Sequence, residues 1–154
     1  MDRYSTHLGI LKQLFETMDI ETVFEFGTGF YSTGLFCENC NFVVACEMQS
    51  EEWYSKVKDR FEEKENLSLQ CMIGPNKSIE YLSSLNRNFD LIFVDGHGDS
   101  RWHAINEASR FTKLIVSHDT ETPSYQWHKI NLDSSWTRKD YKDLDPWTTV
   151  WVKK

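Results

Sequence analysis

Two short runs hold the kinds of group that enzymes use to move protons or hold cations. Asp95-Gly96-His97-Gly98 sets a carboxylate and an imidazole among glycines, and Ser117-His118-Asp119-Thr120 sets the same two groups side by side. Each run closes an apolar stretch, "LIFV" in the first case and "LIV" in the second. A carboxylate and an imidazole together can take, give or steer a proton. Taken singly, any of the four is as well explained as a cap or a loop residue. Both pairs standing at the ends of apolar runs favours chemistry.

A third cluster is the stretch "VFEFGTGFYSTGLF", Val23 to Phe36. Gly27 and Gly29 can adopt positive φ and bring bare backbone against a ligand. The dinucleotide fingerprint G-x-G-x-x-G requires a third glycine where Ser32 stands, so a pyrophosphate cofactor is disfavoured. Glu25, just ahead of the turn, would repel pyrophosphate but suits a cationic ligand. About 20 residues on, Glu47 ends another apolar run, where a carboxylate can accept both hydroxyls of a ribose. The other reading of Glu47 is a solvated residue opening a helix. The polar turn Gly74 to Ser78 can edge an adenine ring through backbone N–H groups and Ser78, or can be a plain connection.

These groups need elements to position them. Leu8, Leu11, Phe15 and Met18 share one helical face in a predicted helix over Tyr4–Met18. Strands are predicted at Thr22–Phe26, Asn41–Glu47, Leu67–Ile73, Phe89–Val94 and Lys113–Ser117. Helices are predicted from Ser32, after a Ser50 cap, after Pro75 and after Asp99 or Ser100, with a weak helical piece at Ser124–Ile130. "SSWTRKDY" and "WTTVWVKK" read as two strands of an antiparallel hairpin. Alternating helices and strands predict an α/β fold, a doubly wound, mostly parallel sheet with helices on both faces, closed by that hairpin. Ligands in such sheets bind beyond the carboxyl ends of the strands, where all three clusters fall.

Bulk properties bound the function. The chain has 154 residues, 40% hydrophobic and 27% charged, and reads as one domain over 1–154. No apolar run approaches the roughly 18 residues of a membrane span, and the first residues lack a secretory pattern. A soluble cytoplasmic protein is expected, with no membrane partner. The net charge of −7 argues against nucleic acid as a partner. Of the four cysteines, Cys37 and Cys40 form a C-x-x-C with no second pair spaced for zinc, and ordinary reduced thiols are expected.

The clusters and their order resemble class I S-adenosylmethionine (SAM)-dependent methyltransferases. That family carries an acidic residue and G-x-G after strand one, acidic residues ending strands two and four, and a terminal β-hairpin. Here those are "EFGTG", Glu47, Asp95 and the last two strands. "LIFVDGHGDSRWHAINEASRFTKLIVSHDTE" further resembles the small-molecule and sugar O-methyltransferases with "DLIFIDG" followed by "IVxHDT". The resemblance implies that Glu25, Gly27, Thr28 and Gly29 hold the methionine part of SAM, Glu47 its ribose, and Ser78 its adenine. It implies that Asp95 faces the methionine end and the acceptor. Tyr4 to His7 is expected to close over the site.

Methyl transfer to a hydroxyl needs a base or a metal. His118 and His97 are the candidate bases; alternatively Asp95 with Asp119, with or without His118, would hold Mg2+. A small-molecule or sugar oxygen is the expected acceptor. The sequence departs from the branch at "DGHGDSR", where "DGDHSY" is usual, and in the turn before the fifth strand, which lacks glycine. Little chain remains for a lid, so either the acceptor site is open or a second copy covers it. A non-catalytic SAM-binding domain and a nucleotide enzyme of another class are the alternatives.

Overall fold

The computed structural model describes residues 2–154. Its sheet is seven-stranded: β1 (Thr22–Phe26), β2 (Phe42–Glu47), β3 (Leu67–Cys71), β4 (Leu91–Val94), β5 (Leu114–His118), β6 (Trp136–Tyr141) and β7 (Thr148–Lys153). The spatial order is β3-β2-β1-β4-β5-β7-β6. The first five strands pair in parallel, and β7 pairs antiparallel with both β5 and β6. The hairpin therefore inserts its second strand next to β5, and its first strand becomes the edge.

Helices α1 (Leu8–Thr17), α2 (Ser32–Asn39), α3 (Glu51–Arg60), α4 (Lys77–Leu85) and α5 (Arg101–Ala108) complete the fold. Neighbouring residues of the central strands feed opposite faces, which is why those strands read as unbroken apolar runs. Val23, Val43, Leu91, Phe93, Leu114 and Val116 pack with Leu11 of α1 and Phe36 of α2. Phe24, Phe26, Val44, Ile92, Val94 and Ile115 pack with Ile79 and Leu82 of α4 and Ile105 of α5. Among the described residues no helix is long and apolar enough to cross a membrane.

The chain runs outward from β1 to β3, then returns to the centre and continues through β4 and β5. The switch between the two directions lies between β1 and β4, where a crevice opens at the carboxyl ends.

The differences from expectation are local. The predicted first helix is two pieces: a 3-10 turn at Arg3–Ser5, capped by Asp2, and α1. Between them the Thr6 hydroxyl donates to the Pro146 carbonyl at 3.0 Å and turns the chain toward β5. Met18, expected on the inward face, is exposed because α1 ends before it. The weak helical piece becomes two 3-10 turns, Pro123–Tyr125 and Trp127–Lys129, because Gln126 between them is left-handed at φ 58°. All four cysteines are free. Burial pushes the Cys37 and Cys40 thiols up to about 11 and about 12, so this C-x-x-C is a poor nucleophile.

Candidate functional site

A cleft of about 530 Å3 opens at the switch point, a size that suits a small-molecule ligand. Its floor is the β1 turn. Gly27 has φ +80°, and a Cβ there would lie 2.6 Å from the Gly96 Cα. The glycine is thus required to let the ends of β1 and β4 touch; unlike the direct ligand contact expected of it, it does not itself border the cleft. A Cβ at Gly29 would meet only the Ser32 hydroxyl at 3.5 Å, so this residue borders the cleft without strain.

Glu25 lies beneath this floor. It has no exposed surface, and the Ser32 and Thr33 hydroxyls at the start of α2 donate to its two oxygens. Burial outweighs these two bonds and pushes the carboxyl up to about 8. Thr33 also accepts from the Gly29 N–H at 3.2 Å. Glu25 therefore sets the turn from below, through Ser32 and Thr33, and does not border the cleft as expected of a direct ligand contact.

Glu47 ties two walls together. Its Oε2 accepts from the Thr28 hydroxyl at 2.6 Å and its Oε1 from the Gln49 N–H at 2.6 Å. Thr28 and Gln49 both border the cleft. The Trp53 indole N–H donates to the Thr28 carbonyl at 2.9 Å, and its ring lies 4.8 Å from that of Phe30, tilted by 38°. Ser78 is different. It is fully buried, turned inward with Ile79 and Leu82 on the core face of α4, and its hydroxyl has no partner among the described residues. In this position it is out of reach of a ligand in the cleft.

The ends of β4 and β5 meet as the sequence pairs suggest, but around a residue the sequence did not single out. Arg101, first in α5, is 4% exposed. Its Nε donates to the Gly96 carbonyl at 3.1 Å and its Nη1 to the His118 carbonyl at 2.7 Å. Its Nη2 lies 3.0 Å from Asp95 Oδ1 and 3.6 Å from Asp119 Oδ2. The Tyr125 ring covers the guanidinium at 4.5 Å. Burial would raise the Asp95 carboxyl, but Arg101 and His118 outweigh it and hold it below the usual range. Asp119 sits in the left-handed region at φ 57°. Burial raises its carboxyl above the usual range, more than His118 and Arg101 lower it, and the Asp95 charge adds to the rise.

His118 is buried, with Nε2 2.8 Å from the Thr6 hydroxyl and Nδ1 3.5 Å from Asp95 Oδ2. His97 does not join it. Its ring caps the short turn Gly98–Ser100, with Nδ1 accepting from the Asp99 N–H at 3.3 Å, and it is absent from the cleft wall. Backbone geometry explains this: the chain bends sharply after β4, so a residue two beyond Asp95 points elsewhere.

Tyr4 and His7 do reach the cleft. His7 is 2% exposed, and neither ring nitrogen has a partner among the described residues. It lies edge-on to His118 at 4.6 Å. Burial, with help from His118 and against Asp95, lowers its imidazole to about 4.

The expected Mg2+ site of Asp95 and Asp119 does not fit the donors present. Mg2+ demands an octahedron of hard oxygens. Here both carboxylates face the Arg101 guanidinium, and the other groups beside Asp95 are imidazoles.

No protein-family model matches this chain, and no curated protein matches it in sequence. Solved structures do match in shape. An O-methyltransferase from Bacillus cereus, in complex with S-adenosylhomocysteine (SAH), aligns with a TM-score of 0.79 at 16% identity, over 100% of this chain and 82% of that one. TomG from Streptomyces achromogenes, an O-methyltransferase involved in tomaymycin synthesis and solved with SAM, aligns at 0.75 and 14% identity, over 98% and 79%. An rRNA methylase from Streptococcus thermophilus aligns at 0.67 and 18% identity, over 97% and 96%. This likeness is one of architecture: the chain has the Rossmann-like methyltransferase fold.

Proposed function

We propose that the protein transfers a methyl group from SAM to an oxygen of a small molecule or sugar. The observation that carries this reading is the cleft at the β1/β4 switch point, walled by Thr28, Gly29, Asp95, His118 and Asp119 and braced by Glu47. Two structures of the same fold were solved with SAM or SAH. The Thr28–Gly29 floor, shaped by Gly27, suits the methionine part, and Glu47 would exchange its Thr28 bond for ribose hydroxyls. Adenine would then lie toward Gln49 and Trp53, not against Ser78.

The reaction is an in-line displacement. The acceptor oxygen forms a bond to the methyl carbon as the carbon–sulfur bond breaks, and SAH leaves as a neutral thioether. Alignment supplies most of the acceleration. The acceptor proton passes to a base, and Asp119 is placed for this at the cleft wall. His118 is held in this wall by its contacts with Thr6 and Asp95. The exposed rings of Tyr4, Phe30 and Tyr31 at the mouth favour an acceptor with a planar apolar body.

The test is formation of SAH from SAM with a panel of phenols, catechols and hydroxylated sugars. Asp119→Asn should lower kcat at least tenfold while leaving SAM affinity unchanged. SAM binding without turnover on any acceptor would favour the non-catalytic alternative, and absence of SAM binding would remove the reading altogether.

A further inference from the structure

We propose that His7, Asp95 and His118 form a binding site for a zinc-type divalent transition-metal ion, open toward the cleft. One donor atom from each residue lies within 4.8 Å of the other two. Ligands at about 2.0–2.2 Å from such an ion sit roughly 3.4 Å apart, so small side-chain movements close the triad. Two imidazoles and one carboxylate are the donor set of several catalytic zinc and non-haem iron centres, and a poor one for Mg2+.

Hydrogen bonding around His118 sets up the site. The Thr6 hydroxyl has one proton and two carbonyls in reach, those of Pro146 at 3.0 Å and Arg3 at 3.4 Å. When it donates to either, it can accept from His118 Nε2, 2.8 Å away. That Nε2–H tautomer is the one that leaves Nδ1 as a metal ligand. Nδ1 faces Asp95 Oδ2 at 3.5 Å, a contact bridged by a proton in the metal-free protein. A metal ion would displace that proton and bond to both atoms. A hydrogen bond from the ring nitrogen away from the ion is the usual support for a metal-bound histidine.

His7 supplies the independent observation. A buried imidazole is ordinarily hydrogen-bonded, yet neither nitrogen of this one has a partner among the described residues. Charge agrees as well. Asp95 and Asp119 face a single guanidinium, Arg101, which engages Asp95 through Oδ1 and leaves Oδ2 for the ion. All three residues border the cleft, so a fourth ligand would enter from that side. The metal site does not depend on the methyl-transfer reading.

The test uses the untagged full chain, stripped with a chelator. Equilibrium dialysis should show one Zn2+ per chain, not displaced by millimolar Mg2+. Co2+ as a spectroscopic probe should give visible bands of a four- or five-coordinate ion. His7→Gln and His118→Gln should each weaken binding about 100-fold or more, while His103→Gln and His128→Gln bind as the parent does. Since buried variants can unfold, imidazole NMR of the parent gives a second readout: Zn2+ should shift the ring signals of His7 and His118 alone among the five histidines. No stoichiometric binding, displacement by Mg2+, undiminished binding by a folded His7→Gln, or shifts confined to other rings would each overturn the site. SAH titration of the same samples separates the two readings. SAH binding without zinc binding removes only the metal site, and zinc binding without SAH binding removes only the methyltransferase.

Discussion

Glu25→Gln probes the least ordinary ionisable group in the fold. Glu25 has no exposed surface and sits between the Ser32 and Thr33 hydroxyls, with its carboxyl raised from 4.5 to about 8 by burial. A displacement of that size corresponds to about 5 kcal/mol, as an order of magnitude. The sign comes from linkage. The folded state holds the Glu25 proton more tightly than the unfolded chain, so its contribution is complete below pH 4.5 and is lost as pH rises toward about 8. Glutamine keeps the shape, accepts from Thr33 and donates to Ser32, and has no charge to bury. Urea unfolding between pH 5 and 9 should therefore show parent stability falling through this window more steeply than that of the variant. At pH 8.5 the variant should be the more stable by several kcal/mol, and near pH 5 the two should nearly coincide. SAH affinity should change less than tenfold, because the carboxyl acts from beneath the turn. A variant less stable than the parent at pH 8.5 would mean that the two hydroxyl donors outweigh the cost of burying the Glu25 charge, and would contradict a carboxyl raised by burial.

His7 shapes the acid limb. Its imidazole falls from 6.5 to about 4 on folding, so its contribution is present above 6.5 and is lost as pH falls toward 4, by about 3 kcal/mol. In metal-free protein His7→Gln should flatten that limb, and an unchanged acid slope would contradict the burial argument. Gly27→Val forces a Cβ against the backbone of Asp95–Gly96 at φ +80°. Calorimetric melting should show a loss of at least about 2 kcal/mol, and SAH should no longer bind; a variant that melts and binds like the parent refutes the close approach. Glu47→Ala should weaken SAM by about 1.5–3 kcal/mol if ribose hydroxyls replace the Thr28 bond. Unaltered affinity in a fluorescence titration would leave Glu47 as a tie between loops.

The sheet and the strand-end groups are legible in the sequence because their signals are local. Parallel strands buried on both faces read as unbroken apolar runs, and the residues after each run must stand at the carboxyl edge. Gly27, Glu47, Asp95, His118 and Asp119 stand out in that way. The direction a side chain takes is not carried by the residue list. His97 lies two residues from Asp95 and points away because the chain bends into a capped turn. Ser78 opens α4 but shares its inward face with Ile79 and Leu82. Arg101 and the two nitrogens of His7 are hidden for another reason. Their roles come from packing alone: Thr6 meets His118 across 112 positions of chain. One signal is present for Arg101, a cation at a helix start between two acidic strand ends, where the helix dipole disfavours it unless carboxylates hold it.

The functional reading stands on SAM binding in the crevice between β1 and β4. Calorimetric titration of the folded chain with SAH measures that binding alone, since no acceptor is needed. One site per chain at micromolar strength is expected, lost in Gly27→Val and weakened in Glu47→Ala, with no heat from NAD. No binding of SAH or SAM to folded protein, or equal binding by the parent and both variants, would contradict it.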